Sequence, residues 1–237
     1  MTRGMRAALG FLTILPAGSE DLEIAAGIPF FPIVGVLVGG LSGLLAWLLV
    51  PHIGSLAGVT LALLAQVVLT RNLHWDGVFD TIDGLVAYPR EKSLAAMRDS
   101  RVGGGAAAAG GILILLFVGF GARVSFRELW LVFAVAGMAG RGAVSAALGL
   151  HPYARPDGLG LAFAGKAQSG LLVGGLALAL LIALLGLRGV VSAAGTVVLV
   201  VLGGRYAVLR FGGLTGDVYG AIEVLTEILV LASAAWR

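Results

Sequence analysis

The chain reads as an all-α protein, a polytopic helical bundle integral to a membrane, with about seven transmembrane helices. Three observations lead there. Hydrophobic residues make up 59% of the 237 residues and only 12% are charged, about half the charged share usual in soluble domains. Mean hydropathy is +1.01. Long apolar runs alternate with short polar steps, and one longer polar passage, 71–103, interrupts them. Residues 1–237 read as a single integral membrane domain.

Composition also excludes. With no cysteine there is no disulfide framework, thiolate metal site or cysteine nucleophile. The net charge of +3 comes mostly from loop arginines, which in a membrane protein report topology first. It gives no reason to expect nucleic acid as a partner; the lipid bilayer is the expected one.

Each element can be justified in turn. MTRGMRAALGFLTILPAG has two arginines and then about ten apolar residues broken by Pro16. Acidic residues follow in place of a small-residue cleavage site, so an interfacial N-terminal helix is expected, not a signal peptide. After a polar step at 19–23 comes the first span, 30–50, whose Gly35, Gly39 and Gly43 form a small-residue ridge for close helix packing. The ridge also leaves room for a helix-packed homo-oligomer. Pro51, His52 and Gly54 turn the chain, and 56–69 makes a second span that runs into the polar passage. The third span is 104–121, the fourth 129–150 with Arg141 near its far end, and 151–168 is a second polar loop. Spans at 171–187, 190–208 and 219–236 complete the count, with a turn at 188–189 and a polar loop at 210–217. Trp47, Trp130 and Trp236 sit near span ends, as interfacial tryptophans do.

If every span crosses once, the N-terminus and the 71–103, 151–168 and 210–217 segments share one side. That side collects eleven of the sixteen basic residues and the other collects four, so the first is expected to be cytoplasmic. Nearly every unusual polar residue is on it, which predicts one site at the cytoplasmic face.

Three constellations carry the chemistry. In the first, Asp76, Asp80 and Asp83 are spaced i, i+4, i+7, within roughly 60° of arc on a helix. Three carboxylates on one stripe repel, and Mg²⁺, which shares carboxylates with substrate phosphate oxygens, is the natural cation to offset that. A solvated acidic face is the plainer reading. Asp99 lies between Arg98 and Arg101, which could neutralise phosphoryl charge or anchor the chain at the membrane surface. His74 is a candidate general base or further ligand, or an interfacial residue beside Trp75. The second constellation, around Arg155 and Asp157 in HPYARPDG (151–158), could contact a nucleotide or be a rigid connector, and composition favours the connector. The third is Asp217, placed like a helix N-cap, with Glu223 and Glu227 one turn apart inside an apolar span, where ionised carboxylates are costly unless paired or metal-bound.

LHWDGVFDTIDGL (73–85) with MRDSRVG (97–103) resembles the signature of the adenosylcobinamide-GDP ribazoletransferase family, also called cobalamin-5′-phosphate synthases. FLTILP (11–16), ARPDGLG (154–160) and GGLTGDVYGAIEVLTE (212–227) match in order, so the resemblance covers the chain. Arg71-Asn72 stand where the family usually has two glycines, and Ile14 where it commonly has arginine. The resemblance implies a Mg²⁺-dependent transferase of the prokaryotic plasma (inner) membrane. A hydroxyl of α-ribazole, or of its 5′-phosphate, would attack the phosphate joining cobinamide to GMP in adenosylcobinamide-GDP. Carried over, Asp76, Asp80 and Asp83 would hold metal, with Asp99 as a further ligand. Arg98 and Arg101 would touch diphosphate. Asp217, Glu223 and Glu227 would hold a second ion, position the ribazole or supply the base. The motif of CDP-alcohol phosphotransferases is absent, because Asp76-Gly77 is followed by Val-Phe-Asp-Thr. So is the first Asp-rich motif of membrane prenyltransferases. An ion-coupled transporter would be expected to repeat its acids near the midplane of two halves, and here they gather at one face.

Overall fold

The computed structural model describes residues 1–17, 24–157 and 167–236. The polar step at 19–23 and the later part of the 151–168 loop lie outside the described residues. Eleven α-helices are described: α1 (Arg3–Leu12), α2 (Phe31–Ile53), α3 (Ser55–Leu69), α4 (Leu73–Val86), α5 (Arg90–Ala96), α6 (Gly104–Gly121), α7 (Leu129–Leu150), α8 (Ala167–Leu185), α9 (Leu187–Val198), α10 (Gly204–Phe211) and α11 (Gly216–Ala235). A 3₁₀ turn, Ile24–Phe30, leads into α2, and a π-helical turn, Leu199–Gly203, joins α9 to α10. Among the described residues there is no strand, only one isolated parallel bridge between Tyr153 and Leu214.

Five helical stretches are long and apolar enough to cross a membrane: Ile24–Ile53, Gly104–Gly121, Leu129–Leu150, Leu187–Phe211 and Gly216–Ala235. A sixth results if Ser55–Leu69 and Leu73–Val86 are one broken span, and Ser169–Leu185 is a shorter apolar helix. The expected seven is therefore approximate. The third and fourth spans have the bounds read from the sequence. The first runs further, because the helix continues through Pro51 and His52 and stops only at Gly54, whose φ of 83° ends it. The turn expected at 188–189 falls at Gly186 (φ 59°), and Arg188 lies in the first turn of α9.

Two helices form the inside. The crossing segments of α7 and α11 are 83% buried, against 28% for α6, and the other spans pack around them. Gly35 and Gly39 lie against the α7 backbone at Gly137 and Phe133, where a methyl group would collide with carbonyl oxygens. The glycine ridge is thus occupied within the chain, so it supplies no argument for a homo-oligomer. His74, for which an interfacial place is the alternative reading, is buried, and its neighbour Trp75 is 6% exposed and meets Phe117 edge-on at 6.0 Å, inside the core.

The α3–α4 corner positions the site. The two helices meet at 90°, so α4 turns away from the axis of α3 and packs against α11 and α6. Arg71 and Asn72 make this corner with φ of 54° and 61°, the left-handed region that glycine enters most easily. That accounts for the usual glycine pair. Arg71 gains something glycine lacks: its guanidinium donates to the carbonyls of Gly10 (3.0 Å) and Phe11 (3.2 Å), tying down the end of α1. The amide of Ile14 adds a bond to Leu69 O, 2.8 Å. The interfacial helix α1 is thereby anchored to the corner.

Candidate active site

The four family-like segments meet at one end of the bundle. α4 crosses the start of α11 at two glycines: a β-carbon on Gly77 would stand 2.6 Å from Asp217 O, and one on Gly220 would stand 2.9 Å from His74 O. This backbone-to-backbone crossing sets the α4 aspartates beside Asp217. The N-cap of α11 is Thr215, not Asp217: its hydroxyl accepts from the Val218 amide at 3.3 Å and donates to Asp217 Oδ2 at 3.1 Å. With the cap supplied elsewhere, the Asp217 carboxylate takes the Arg155 guanidinium, 2.9 Å. Arg155 is held in place because its loop is stitched to the 212–217 turn. Ala154 N donates to Leu214 O and Leu214 N to Pro152 O, both 2.8 Å.

These groups border a cavity of about 250 Å³. Its lining combines Asp76, His74, Arg155 and Asp217 with Tyr153 and Tyr219 and with the apolar Phe11, Leu12, Phe31, Val144 and Leu148. Asp80, one turn beyond Asp76, is half-buried. Burial first, and then the negative charges of Asp217, Asp76 and Asp83, push its carboxyl up to about 7 against a partial offset from Arg155.

Of the predicted ligands, the structure brings Asp76, Asp80 and Asp217 together around Arg155. Asp83 faces the same crowd but also accepts from the Gly103 amide, 2.9 Å, at the start of α6. Asp99 lies at the surface. Arg101 grips it through both carboxylate oxygens (2.7 and 3.0 Å), and those hydrogen bonds hold its pKa down to about 2. Arg98 pairs with Asp157 at 2.6 Å, both well exposed, linking the two polar loops.

Glu223 and Glu227 lie deeper, on α11. Arg141 of α7 bridges them, Nη1 standing 2.7 Å from Glu223 and 3.2 Å from Glu227, with all three side chains 2–3% exposed. Gly140 makes room, since a β-carbon there would press on Glu223 O at 3.0 Å and on Glu227 Cγ at 3.3 Å. His74 Nδ1 is 4.0 Å from Glu223. Burial, and secondarily the Arg141 charge, lower the pKa of this imidazole from its usual value. Arg141 is the residue the sequence constellations left out. Its signal was a formal charge in an apolar run, matched by two acids in another.

Among the described residues, no three His, Asp or Glu side chains are grouped closely enough to enclose an ion. The donor set fits Mg²⁺ in a different way. Asp80, raised by burial first and then by the neighbouring carboxylates, and those neighbours could supply the one or two oxygens such a cation takes from protein, and a bound diphosphate would supply others.

Comparison with known proteins agrees with this geometry. The family profile described as Cobalamin-5-phosphate synthase matches residues 4–235. The chain belongs to that family. A relative named adenosylcobinamide-GDP ribazoletransferase, from Klebsiella pneumoniae, is 39% identical over 98% of both chains. Another of that name, from Desulforamulus reducens, is 34% identical over 98% of this chain and 95% of its own. No solved structure matches. Membership of the cobalamin-5-phosphate synthase family makes the protein a transferase and accounts for the order of its motifs. The geometry adds which of their residues face one another.

Proposed function

We propose that this protein joins adenosylcobinamide-GDP to α-ribazole, or to α-ribazole 5′-phosphate, and releases GMP, in the assembly of cobalamin. The observation that carries the reading is the cavity lined by Asp76, Arg155 and Asp217, with Arg155 paired to Asp217 and Asp80 within reach of their charges. In the reaction a ribose hydroxyl oxygen bonds to the phosphorus attached to cobinamide. The bond from that phosphorus to the bridging oxygen breaks, GMP leaves with the oxygen, and the hydroxyl proton is released.

One or two of Asp76, Asp80 and Asp217 would hold Mg²⁺ together with substrate phosphate oxygens, with Asp83 nearby; bound there, the ion would neutralise charge on the diphosphate. Arg155 orients Asp217 and presents cationic charge to the same phosphates. His74, on the cavity wall, would accept the hydroxyl proton as a weak base; phosphoryl transfer depends mainly on positioning and charge, so a strong base is not needed. Arg98 and Arg101, at the exposed rim, would meet the guanine nucleotide on entering, exchanging Asp157 and Asp99 for phosphate. Arg141, Glu223 and Glu227 hold the α7–α11 contact behind the site. The basic-residue asymmetry supports a site facing the cytoplasm from the inner membrane.

The test is GMP release from adenosylcobinamide-GDP and α-ribazole by detergent-purified protein, with Mg²⁺ or EDTA, comparing wild type with Asp80→Ala. Release that needs Mg²⁺ and falls at least about 100-fold in a folded Asp80→Ala is expected. Release indifferent to Asp80→Ala removes the metal assignment, and no release by folded wild type removes the reaction.

A further inference from the structure

α11 begins at the cavity just described and ends at a second one. This second cavity has a volume of about 530 Å³, within the roughly 300–1,000 Å³ of small-ligand pockets. Phe120 and Arg123 reach it from the end of α6 and the turn that follows, Val191 from the start of α9, and Leu229, Ala232 and Trp236 from the end of α11. Its floor is buried and satisfied. The hydroxyls of Ser192 and Ser233 meet there, and each also donates to a carbonyl of its own helix, Arg188 O and Val230 O, both at 2.9 Å. Its rim is open, with Val191 46% and Trp236 72% exposed and Arg123 exposed beside them. The acid of the same connection, Glu128, is taken by Arg188 at 3.1 Å, and among the described residues nothing pairs with the Arg123 guanidinium.

We propose that this cavity binds one anionic phospholipid of the surrounding bilayer, with an acyl chain along Phe120, Leu229 and Ala232 and the phosphate on Arg123. A hydrocarbon trough with one unpaired cation on its rim, at the shared end of three apolar helices, matches an amphiphile whose head is negative. The floor suits a chain and not a polar ligand, because Ser192 and Ser233 have no hydrogen bond left to offer. Trp236 stands at the rim, where tryptophan meets lipid headgroups. Charge decides the kind of head. A zwitterionic lipid would bring an ammonium beside Arg123 with Glu128 already paired, whereas a second phosphate-side oxygen or a glycerol head carries no such cation. Free phosphate would gain the guanidinium but leave the trough bare. The proposal does not depend on the transfer reaction, whose residues gather at the start of α11.

The experiment follows Tm of the delipidated, detergent-purified full chain as phosphatidylglycerol, phosphatidylethanolamine or inorganic phosphate is titrated in. Phosphatidylglycerol is expected to raise Tm of wild type in a saturable way, and the other two to leave it unchanged. Arg123→Gln moves the half-saturating phosphatidylglycerol concentration up about fivefold. Ala232→Trp, which fills the trough from α11, removes the rise altogether. Arg127→Gln, a second exposed cation of the same connection, responds as wild type does. Each variant is compared with its own lipid-free Tm, so a change in basal stability does not enter. A titration in Arg123→Gln and Ala232→Trp that matches wild type overturns the site. An equal rise with phosphatidylethanolamine overturns the role of Arg123 in choosing the head, and with it the proposal. A rise with inorganic phosphate alone overturns it too, giving the guanidinium to a free anion.

Discussion

Asp80 and Arg141 solve opposite problems. Asp80 is a half-buried carboxyl among like charges, and its pKa of about 7 records that. Below that pH it is largely protonated and a poor ligand; above it the carboxylate is free to bind a cation. Metal affinity should therefore rise with pH through 7 and level off beyond. The Mg²⁺ concentration giving half-maximal GMP release is expected to be roughly tenfold higher at pH 6 than at pH 8, and a flat profile would separate Asp80 from the metal. Arg141 is a buried cation between two carboxylates. Truncating one partner of such a group leaves the others uncompensated, at about 3–5 kcal/mol. Arg141→Ala should be destabilised by that amount in detergent denaturation, with much of the loss recovered when Glu223→Gln and Glu227→Gln are added.

Between elements, the decisive contact is the crossing of α4 over α11. Gly77→Leu forces the helices apart where a β-carbon already lies 2.6 Å from Asp217 O. A displacement of about 1 Å between reacting groups is enough for a loss on the order of 100-fold. GMP release by Gly77→Leu should fall by that order while the protein still melts cooperatively. The same crossing shows where sequence reading reaches and where it stops. α6 and α7 were legible to the residue, because an apolar run bounded by polar groups is a local signal. The aspartate stripe on α4 was legible from its spacing. The α3–α4 corner was not, since Arg71 and Asn72 carry ordinary side chains in a left-handed backbone, and only the family's glycine pair hinted at it. Nor was the division of labour among the acids. Asp83 finds the Gly103 amide 20 residues away and Glu227 finds Arg141 86 residues away, pairings that tertiary packing sets and local periodicity does not encode.

Across the whole molecule, the polar loops gather at one end and the far connections at the other, where Arg188 meets Glu128 at 3.1 Å. The absence of native cysteine makes this division measurable. In intact cells a membrane-impermeant maleimide should label Arg127→Cys and spare Arg98→Cys, both exposed positions, and permeabilisation should expose Arg98→Cys. Labelling of both from one face would break the topology. Full coverage by one family profile suits such a site, because α1, α4, the 151–157 loop and α11 all contribute to it and none could be lost without opening the cavity.

The Arg141–Glu227 pair also imposes an order on biogenesis. The ribosome completes α7 long before α11 exists, so Arg141 enters the bilayer as a lone cation and waits for its carboxylates through some eighty further residues of translation. An arginine at the centre of an inserting helix costs about 2.5–3.5 kcal/mol on translocon scales, which the apolar remainder of α7 outweighs. The last helix to emerge is thus the one that locks an earlier helix in place. A chain that lacks α11 keeps the Arg141 charge without the two carboxylates that face it in the finished fold.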